Sequence, residues 1–575
     1  MIQGRRKCLF TVSSSVMLTA TLFASPETLA QQPPALIPPN IEQQGIPQIR
    51  RDEITPRGAD QPKAAGMPTM AEQNLISPIA RIDVRSPLLA PEIEALLHSF
   101  IGKRRISGEE LATARGEIWN MLRHRGRMTR IELNAESISE TAGGSVLHAD
   151  VHDVSVRRIF VEPEPGSAPD QATLNTILAD AGSDIAEGGL LDTEKIENRI
   201  RRRIYLKDVD LRAVLVPVGI DLVDVKIIVA AKPGMPIGLV AQADNYGGRT
   251  YGRNRYTLGI SLPDRIVPGD QFDAMTINSA NMNYGRLSYE IPVVPLGARL
   301  DVSGAIMDYR APSGEQGRTT MLGAGLSYPL HMGDRSQWIG QLHYQRRQQT
   351  DRLESFGNIA DKSTDSVRGA LGLRYYPSPA QVVYFDPAVT VGRLDLSGLP
   401  SALEQDQLTA RTNGTFAKLE WEAGWNMLFG PGGKFDARIN AMGQWANKNL
   451  DQSEKFALGG PRRIRAYGSS EGLGDEGFIF NTELGYRPSQ WLRTFSFYSI
   501  GRIRRYVSPW AADSIPNRYT LQGAGVGLSV TYGQMVGSLA YSRQIGSNPG
   551  LSSNGLDSDG TSDRHRLWFT LTFRQ

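Results

Sequence analysis

Cysteine is all but missing from this chain: among 575 residues only Cys8 carries a thiol. Cys8 lies in a segment that reads as a cleaved leader, so the mature protein would hold no cysteine. That excludes disulfides and Cys-based metal sites. Charge of one sign is also scarce. The formal net charge is +3, from 63 Lys and Arg against 60 Asp and Glu. Such a balance gives no footing for nucleic acid as a partner, which would call for a dominant basic patch. After the leader no apolar run approaches the roughly 20 residues a membrane helix needs. A membrane role would therefore require a β-barrel, because in lipid only helices and closed barrels satisfy the backbone. No Ser-His-Asp set or carboxylate pair stands out, so an enzyme has no supporting constellation; no catalytic residue, cofactor or metal is expected.

What is present begins with an export signal over residues 1–30. Arg5, Arg6 and Lys7 form a positive n-region, Cys8 to Ala24 a mostly apolar h-region, and Thr28-Leu29-Ala30 a small-residue cleavage site. A retained anchor is the weaker reading, because serines interrupt the run. Residues 31–78 hold nine prolines, from Pro33 to Pro78, and read as an extended linker.

Two units of one order follow. In 79–155, Ile82 and Val84 mark a strand. Pro91 opens a helix with Ile93, Leu96, Leu97, Phe100 and Ile101 on one face, closed by Gly102. Ser107 and Glu110 form a capping box for a second helix bearing Leu111, Ala114, Ile118 and Leu122. Strands are expected around 130–138 and 145–154. Residues 156–233 repeat this: a strand with Ile159 and Val161, helices capped by Asp170 and Asp192, and alternating strands at 209–215 and 223–229. Tandem βααββ units, each an α+β layer, are an internal repeat of pattern.

From 236 to 575 the helical period disappears. Ala524, Val526, Leu528, Val530 and Tyr532 alternate with Gly523, Gly525, Gly527, Ser529 and Thr531. Leu567, Phe569, Leu571 and Phe573 alternate with polar residues in the same way. In a soluble sandwich the apolar face would meet a second sheet; in an outer-membrane barrel it meets lipid. Export, glycine richness and aromatic strand ends favour the barrel. At roughly 20 residues per strand and connection, the region holds about 16 antiparallel strands.

The region around 456–477 is a long Gly-rich loop leading into a strand, and loops of this length are uncommon unless functional. It contains two enzyme-like strings. Gly468-Ser469-Ser470-Glu471-Gly472 fits the nucleophile-elbow pattern, which needs a strand-to-helix turn. The string from Gly472 to Gly477 fits GxGxxG, which needs a following helix. Neither context is present, and both strings are by-products of glycine content. His148, Asp150 and His152 share one strand face and read as a solvated face or a contact between repeats rather than a metal site. Arg199, Arg201, Arg202 and Arg203 read as a solvated helix face, with a substrate-facing surface as the alternative.

Together these features resemble the outer-membrane transporters of two-partner secretion, the TpsB or haemolysin secretion/activation type, and the βααββ units resemble POTRA domains. Asp244-Asn245-Tyr246-Gly247 resembles the first barrel strand and turn of that family; Gly269-Asp270 and Ser288-Tyr289-Glu290-Ile291-Pro292 resemble its next hairpins. Leu458-Gly459-Gly460, Gly474-Asp475-Glu476-Gly477 and Asn481-Thr482-Glu483-Leu484 resemble its sixth extracellular loop, which folds back into the lumen. The tip motif of that loop maps onto Ile464, Arg465, Ala466 and Tyr467. Two positions depart from the family. Ala466 replaces glycine, a strain if that site needs positive φ. In the loop-facing strand Phe497-Tyr498-Ser499-Ile500-Gly501, Ser499 replaces the aspartate that would face Arg465. An N-terminal plug helix has room for little more than Asn40–Gly45.

The resemblance implies an outer-membrane location with the POTRA-like units in the periplasm. It implies translocation of a TpsA-like exoprotein without ATP, captured by strand addition and threaded through a monomeric barrel. Arg465 and Tyr467 would anchor the loop. Two alternatives are an insertase of the same superfamily, and a passive porin with periplasmic domains.

Overall fold

The computed structural model describes residues 73–575, apart from 88, 124–128, 142, 168, 183–187, 220, 232–236, 250, 313, 355–356 and 511–514. The leader at 1–30, most of the linker and the Asn40–Gly45 segment lie outside the described residues. The chain divides into two compact units.

The N-terminal unit holds both repeats. The first comprises β1 (Ile79–Arg85), α1 (Ala90–Leu97), α2 (Gly108–Arg123), β2 (Thr129–Glu132), β3 (Ile138–Thr141) and β4 (Gly144–Asp153). Central β4 pairs in parallel with β1 on one side, and with β2 and β3 in succession on the other. The single strand expected at 130–138 is thus two short strands. Asn134 accepts from the Glu136 and Ser137 amides and turns the chain between them. The capping box forms: the Glu110 amide donates to Ser107 Oγ at 3.1 Å, and the Ser107 amide to Glu110 Oε2 at 2.9 Å. Ile93, Leu97 and Phe100 enter the core. Ile101 is 43% exposed, because the helix tightens into a 3-10 turn at His98–Phe100 and rotates that position outward.

The second repeat comprises β5 (Ser155–Pro163), α3 (Gln171–Gly182), α4 (Thr193–Tyr205), β6 (Val209–Pro217) and β7 (Leu222–Ala231). Its sheet runs β5-β7-β6, again with a parallel pair. Asp170 and Asp192 cap the helices as expected. Asp224 on β7 is nearly fully buried and takes Arg157 at 2.5 Å and Arg158 at 2.9 Å. Arg203 departs from the expected solvated face: it is buried and forked onto Asp208. Its planar guanidinium satisfies a carboxylate at both nitrogens, which makes burial tolerable. His148 contacts Asp83 and Ser139 across neighbouring strands.

The other unit is a closed barrel of sixteen strands. The first eight are β8 (Gly238–Asp244), β9 (Arg255–Pro263), β10 (Gln271–Asn278), β11 (Met282–Val293), β12 (Ala298–Arg310), β13 (Glu315–Met332), β14 (Ser336–Leu353) and β15 (Gly357–Ser378). The remaining eight are β16 (Gln381–Asp395), β17 (Gly414–Phe429), β18 (Phe435–Ala446), β19 (Glu476–Ser489), β20 (Leu492–Arg504), β21 (Arg518–Tyr532), β22 (Met535–Ile545) and β23 (His565–Arg574). Each strand pleats one residue set outward and the next inward. Leu287, Val302, Leu322, Val389, Leu484 and Val526 stand exposed on the outer face, as a lipid-facing wall requires. The end bearing Gly238 has short turns; the other carries the long connections, including helix α5 (Pro400–Leu408) and the segment 447–475. No described helix is long and apolar enough to cross a membrane.

Candidate functional site

The segment 447–475 does not lie over the rim. Every residue from 449 to 460 is buried. The inserted segment starts before the expected 456 and runs to the start of β19 at Glu476, with Arg462 exposed along the way. Phe456, Leu458, Ile464, Ala466 and Tyr467 form an apolar cluster with the inward positions Ile479, Ile503, Tyr519 and Leu521 of β19, β20 and β21. The glycines of those strands make the contact close. A Cβ at Gly501 would stand 2.9 Å from Leu458, and one at Gly523 would stand 2.5 Å from the Ala466 methyl.

At the tip, Arg465 meets the wall through three groups. Its Nη1 lies 2.8 Å from Glu483 Oε2 on β19. Its guanidinium face covers Phe497 at 4.3 Å, with Phe495 at 5.7 Å. Its carbonyl accepts from Trp568 Nε1 at 2.6 Å and Ser542 Oγ at 2.7 Å. Arg465 reaches the Phe497–Gly501 strand through the ring of Phe497, while the carboxylate comes from the neighbouring strand: Glu483 and Phe497 are direct cross-strand partners. Ser499, buried, pairs with Asn481 and Gly523. Glu483 lies in the Asn481-Thr482-Glu483-Leu484 string, and nothing in that string signals that it faces Arg465. Arg493 bridges Glu483 at 2.8 Å and Asp436 at 2.6 Å, so the counter-ion is itself held.

Ala466 is not strained. It is absent from the residues of positive φ, and Gly523 opposite supplies the room its methyl needs. Gln544 donates to its carbonyl at 3.4 Å. Tyr467 is fully buried, its hydroxyl donating to the Gln522 carbonyl at 3.3 Å. Within the elbow-like string, Ser469 donates to the Tyr246 carbonyl at 3.2 Å, and Glu471 accepts from Asn548 and the Ser558 amide at 2.8 Å. No helix follows either enzyme-like string.

The root of the segment carries a second set of contacts that sequence reasoning missed. Asp451 takes Lys362 of β15 at 2.9 Å. Glu454 takes Lys418 of β17 at 3.0 Å and Arg347 of β14 at 3.1 Å. Lys455 takes Asp475 at 2.5 Å. All of these side chains but Lys362 are nearly fully buried. Asn-Leu-Asp-Gln-Ser-Glu-Lys reads as a solvated turn, and hydrophilicity alone does not separate water outside a barrel from a charged wall inside one.

The first-strand motif closes the barrel. Asp244 takes Arg255 at 2.7 Å. Asn245 mimics a backbone rung at the seam: its Nδ2 donates to the Leu567 carbonyl at 2.7 Å, and its Oδ1 accepts from the Phe569 amide at 2.8 Å. A Cβ on Gly247 would collide with the Gly252 carbonyl. Asp270 accepts from three amides of its own turn and from the Tyr289 hydroxyl, joining the two hairpin motifs. Among the described residues no cluster of three or more His, Asp or Glu is placed to hold a metal.

The same architecture occurs in solved structures. CdiB from Escherichia coli superposes with a TM-score of 0.58 at 16% identity, covering 91% of this chain and 93% of that one. CdiB from Acinetobacter baumannii gives 0.57 at 14%, over 93% and 96%. These likenesses show the fold. The Heme/hemopexin transporter protein HuxB of Haemophilus influenzae is 24% identical over 344 residues, which are 57% of this chain and 58% of that protein. The chain thus spans little more than half the length of that curated relative. Residues 224–530, more than half of the chain, match the sequence model of the family described as haemolysin secretion/activation protein ShlB/FhaC/HecB, and the chain belongs to that family.

Proposed function

We propose that this protein passes a partner exoprotein from the periplasm to the cell surface without ATP, as a two-partner secretion translocator. The observation that carries the reading is a lumen filled by its own chain and held at two places, Arg465 on Glu483 and Glu454 on Lys418. A passive porin gains nothing from stoppering its channel with buried ion pairs, whereas a conduit for one large client needs to stay sealed between passages. Ile464, Arg465, Ala466 and Tyr467 form the seating tip, Phe497, Ser499 and Gly501 its bed, and Asp244, Asn245 and Gly247 the seam.

The periplasmic repeats supply capture. Among the described residues strand β6 pairs only with β7 in its sheet, so its other edge offers backbone groups to an extended client strand. The client is a TpsA-like exoprotein, and the barrel works as a monomer. Deleting the gene and comparing the proteins released into the medium tests this. Loss of one large secreted protein, restored by the intact gene, is the expected result. An unchanged secretome with impaired assembly of other barrels would instead favour the insertase.

A further inference from the structure

The outer face of the barrel carries an arginine cluster where β20 and β21 rise past the apolar belt. On β20 the outward positions run Tyr498, Ile500, Arg502, Arg504, while Phe497, Ser499, Gly501 and Ile503 face in. Arg502 stands beside the exposed Phe478 of β19 on one side and Thr520 of β21 on the other. Arg504 is directly opposite Arg518. Like charges facing each other across a sheet are destabilising, and the carboxylate of this patch is a single Glu476, 2.8 Å from Arg504. Arg502 and Arg518 are exposed, and neither has an ion-pair or hydrogen-bonding side-chain partner among the described residues. The Nε of Arg504 is buried and unsatisfied.

We propose that Arg502, Arg504 and Arg518 form a binding site for the phosphate of an anionic outer-leaflet lipid. On the proposed function, the end of the barrel that carries the long connections faces the cell exterior. The cluster then lies toward the outer-leaflet headgroups, where Arg502 and Arg504 are the first charged outward positions on β20 above Tyr498 and Ile500. Aromatic rings at that level mark the interface, and cations there gain from anionic headgroups. Guanidinium forks match phosphate oxygens in pairs. Alternate residues on a strand are about 7 Å apart and facing residues about 5 Å, so the three arginines stand within the span of one phosphorylated headgroup; Arg504 is steadied there by Glu476 and the Val507 carbonyl, and Arg502 and Arg518 are free to turn to the phosphate. The phosphate supplies the negative charge that the Arg504–Arg518 pairing lacks. The acyl chains then lie along Tyr498, Ile500 and Val526.

The test uses the full chain in detergent, read by native mass spectrometry. The probes are diphosphoryl lipid A, the same lipid stripped of both phosphates, and inorganic phosphate. The intact protein should retain the phosphorylated lipid about tenfold more tightly than the stripped one. R502Q/R518Q should lose that preference while its barrel stays resistant to SDS before boiling. R318Q, which removes an outward arginine already held by Asp308 on the opposite wall, should keep it. Equal retention of the two lipids, or a preference surviving in R502Q/R518Q, would overturn the site. Displacement of the lipid by millimolar inorganic phosphate would also overturn it, by making the site one for a free anion.

Discussion

Arg465 and Glu483 meet at 2.8 Å although the position opposite the tip, Ser499, carries no charge. The carboxylate that meets Arg465 stands on the strand beside that of Ser499, above the aromatic floor at Phe497. Arg465→Ala should lower secretion about tenfold or more while the barrel still inserts, because it removes the tip's ion pair to Glu483 and its cover over Phe497, although Arg493 still holds Glu483. Glu483→Gln should match it, and the double variant should be no worse than either single. Quantifying secreted client by immunoblot decides this; additive losses would separate the two residues.

Ala466 and Gly523 are complementary in size. Gly523→Ala would place two methyl carbons 2.5 Å apart and should cost about 1–3 kcal/mol of loop docking. The reading is faster trypsin cleavage within 461–467. Restoring the space from the other side, A466G/G523A, should return the protected pattern.

Glu454 neutralises two buried cations. Its removal in Glu454→Ala takes the carboxylate from Arg347 and leaves Lys418 with Glu420 at 3.5 Å, a cost of about 3–5 kcal/mol. The root of the plug should loosen while the tip stays seated. In planar bilayers the variant should open more often than the parent; identical traces would deny the root a sealing role.

Asp224 gives the second repeat an acid limb. Hydrogen bonding from Arg157 first, then Arg158, brings its carboxyl from an ordinary value near 3.8 down to about 2. A depressed folded value means the contribution is complete above pH 4 and fades between about 4 and 2. Hydrogen exchange of peptides spanning β5 and β7, corrected for intrinsic rates, should accelerate over that window. Asp224→Asn should be equally labile at every pH.

Much of this was legible in the sequence because period speaks directly to fold. Alternation of Val526, Leu528 and Val530 with glycine and serine specifies a wall with one apolar face, and caps such as Ser107 and Asp192 announce helices. The tip was legible from its motif. What was hidden depends on partners distant in sequence: Glu483 beneath Arg465, Gly523 beneath Ala466, Lys418 around Glu454. Arg203 was misjudged for another reason: its partner Asp208 is near in sequence but lies past the end of its helix, where the helical period gives no guide. Local pattern records which face a side chain takes, and it is silent on what waits there.

The seam bond of Asn245 has a consequence for the order of assembly. It joins positions 322 residues apart, and pairing over such separations comes late because chain entropy must be surrendered first. Trp568 and Ser542, which grip the Arg465 carbonyl, sit on the last strands of the same circuit. The last grip on the stopper is therefore made only when the ring is joined, so a chain interrupted before β23 would lack both the seam and the Trp568 hold on the tip.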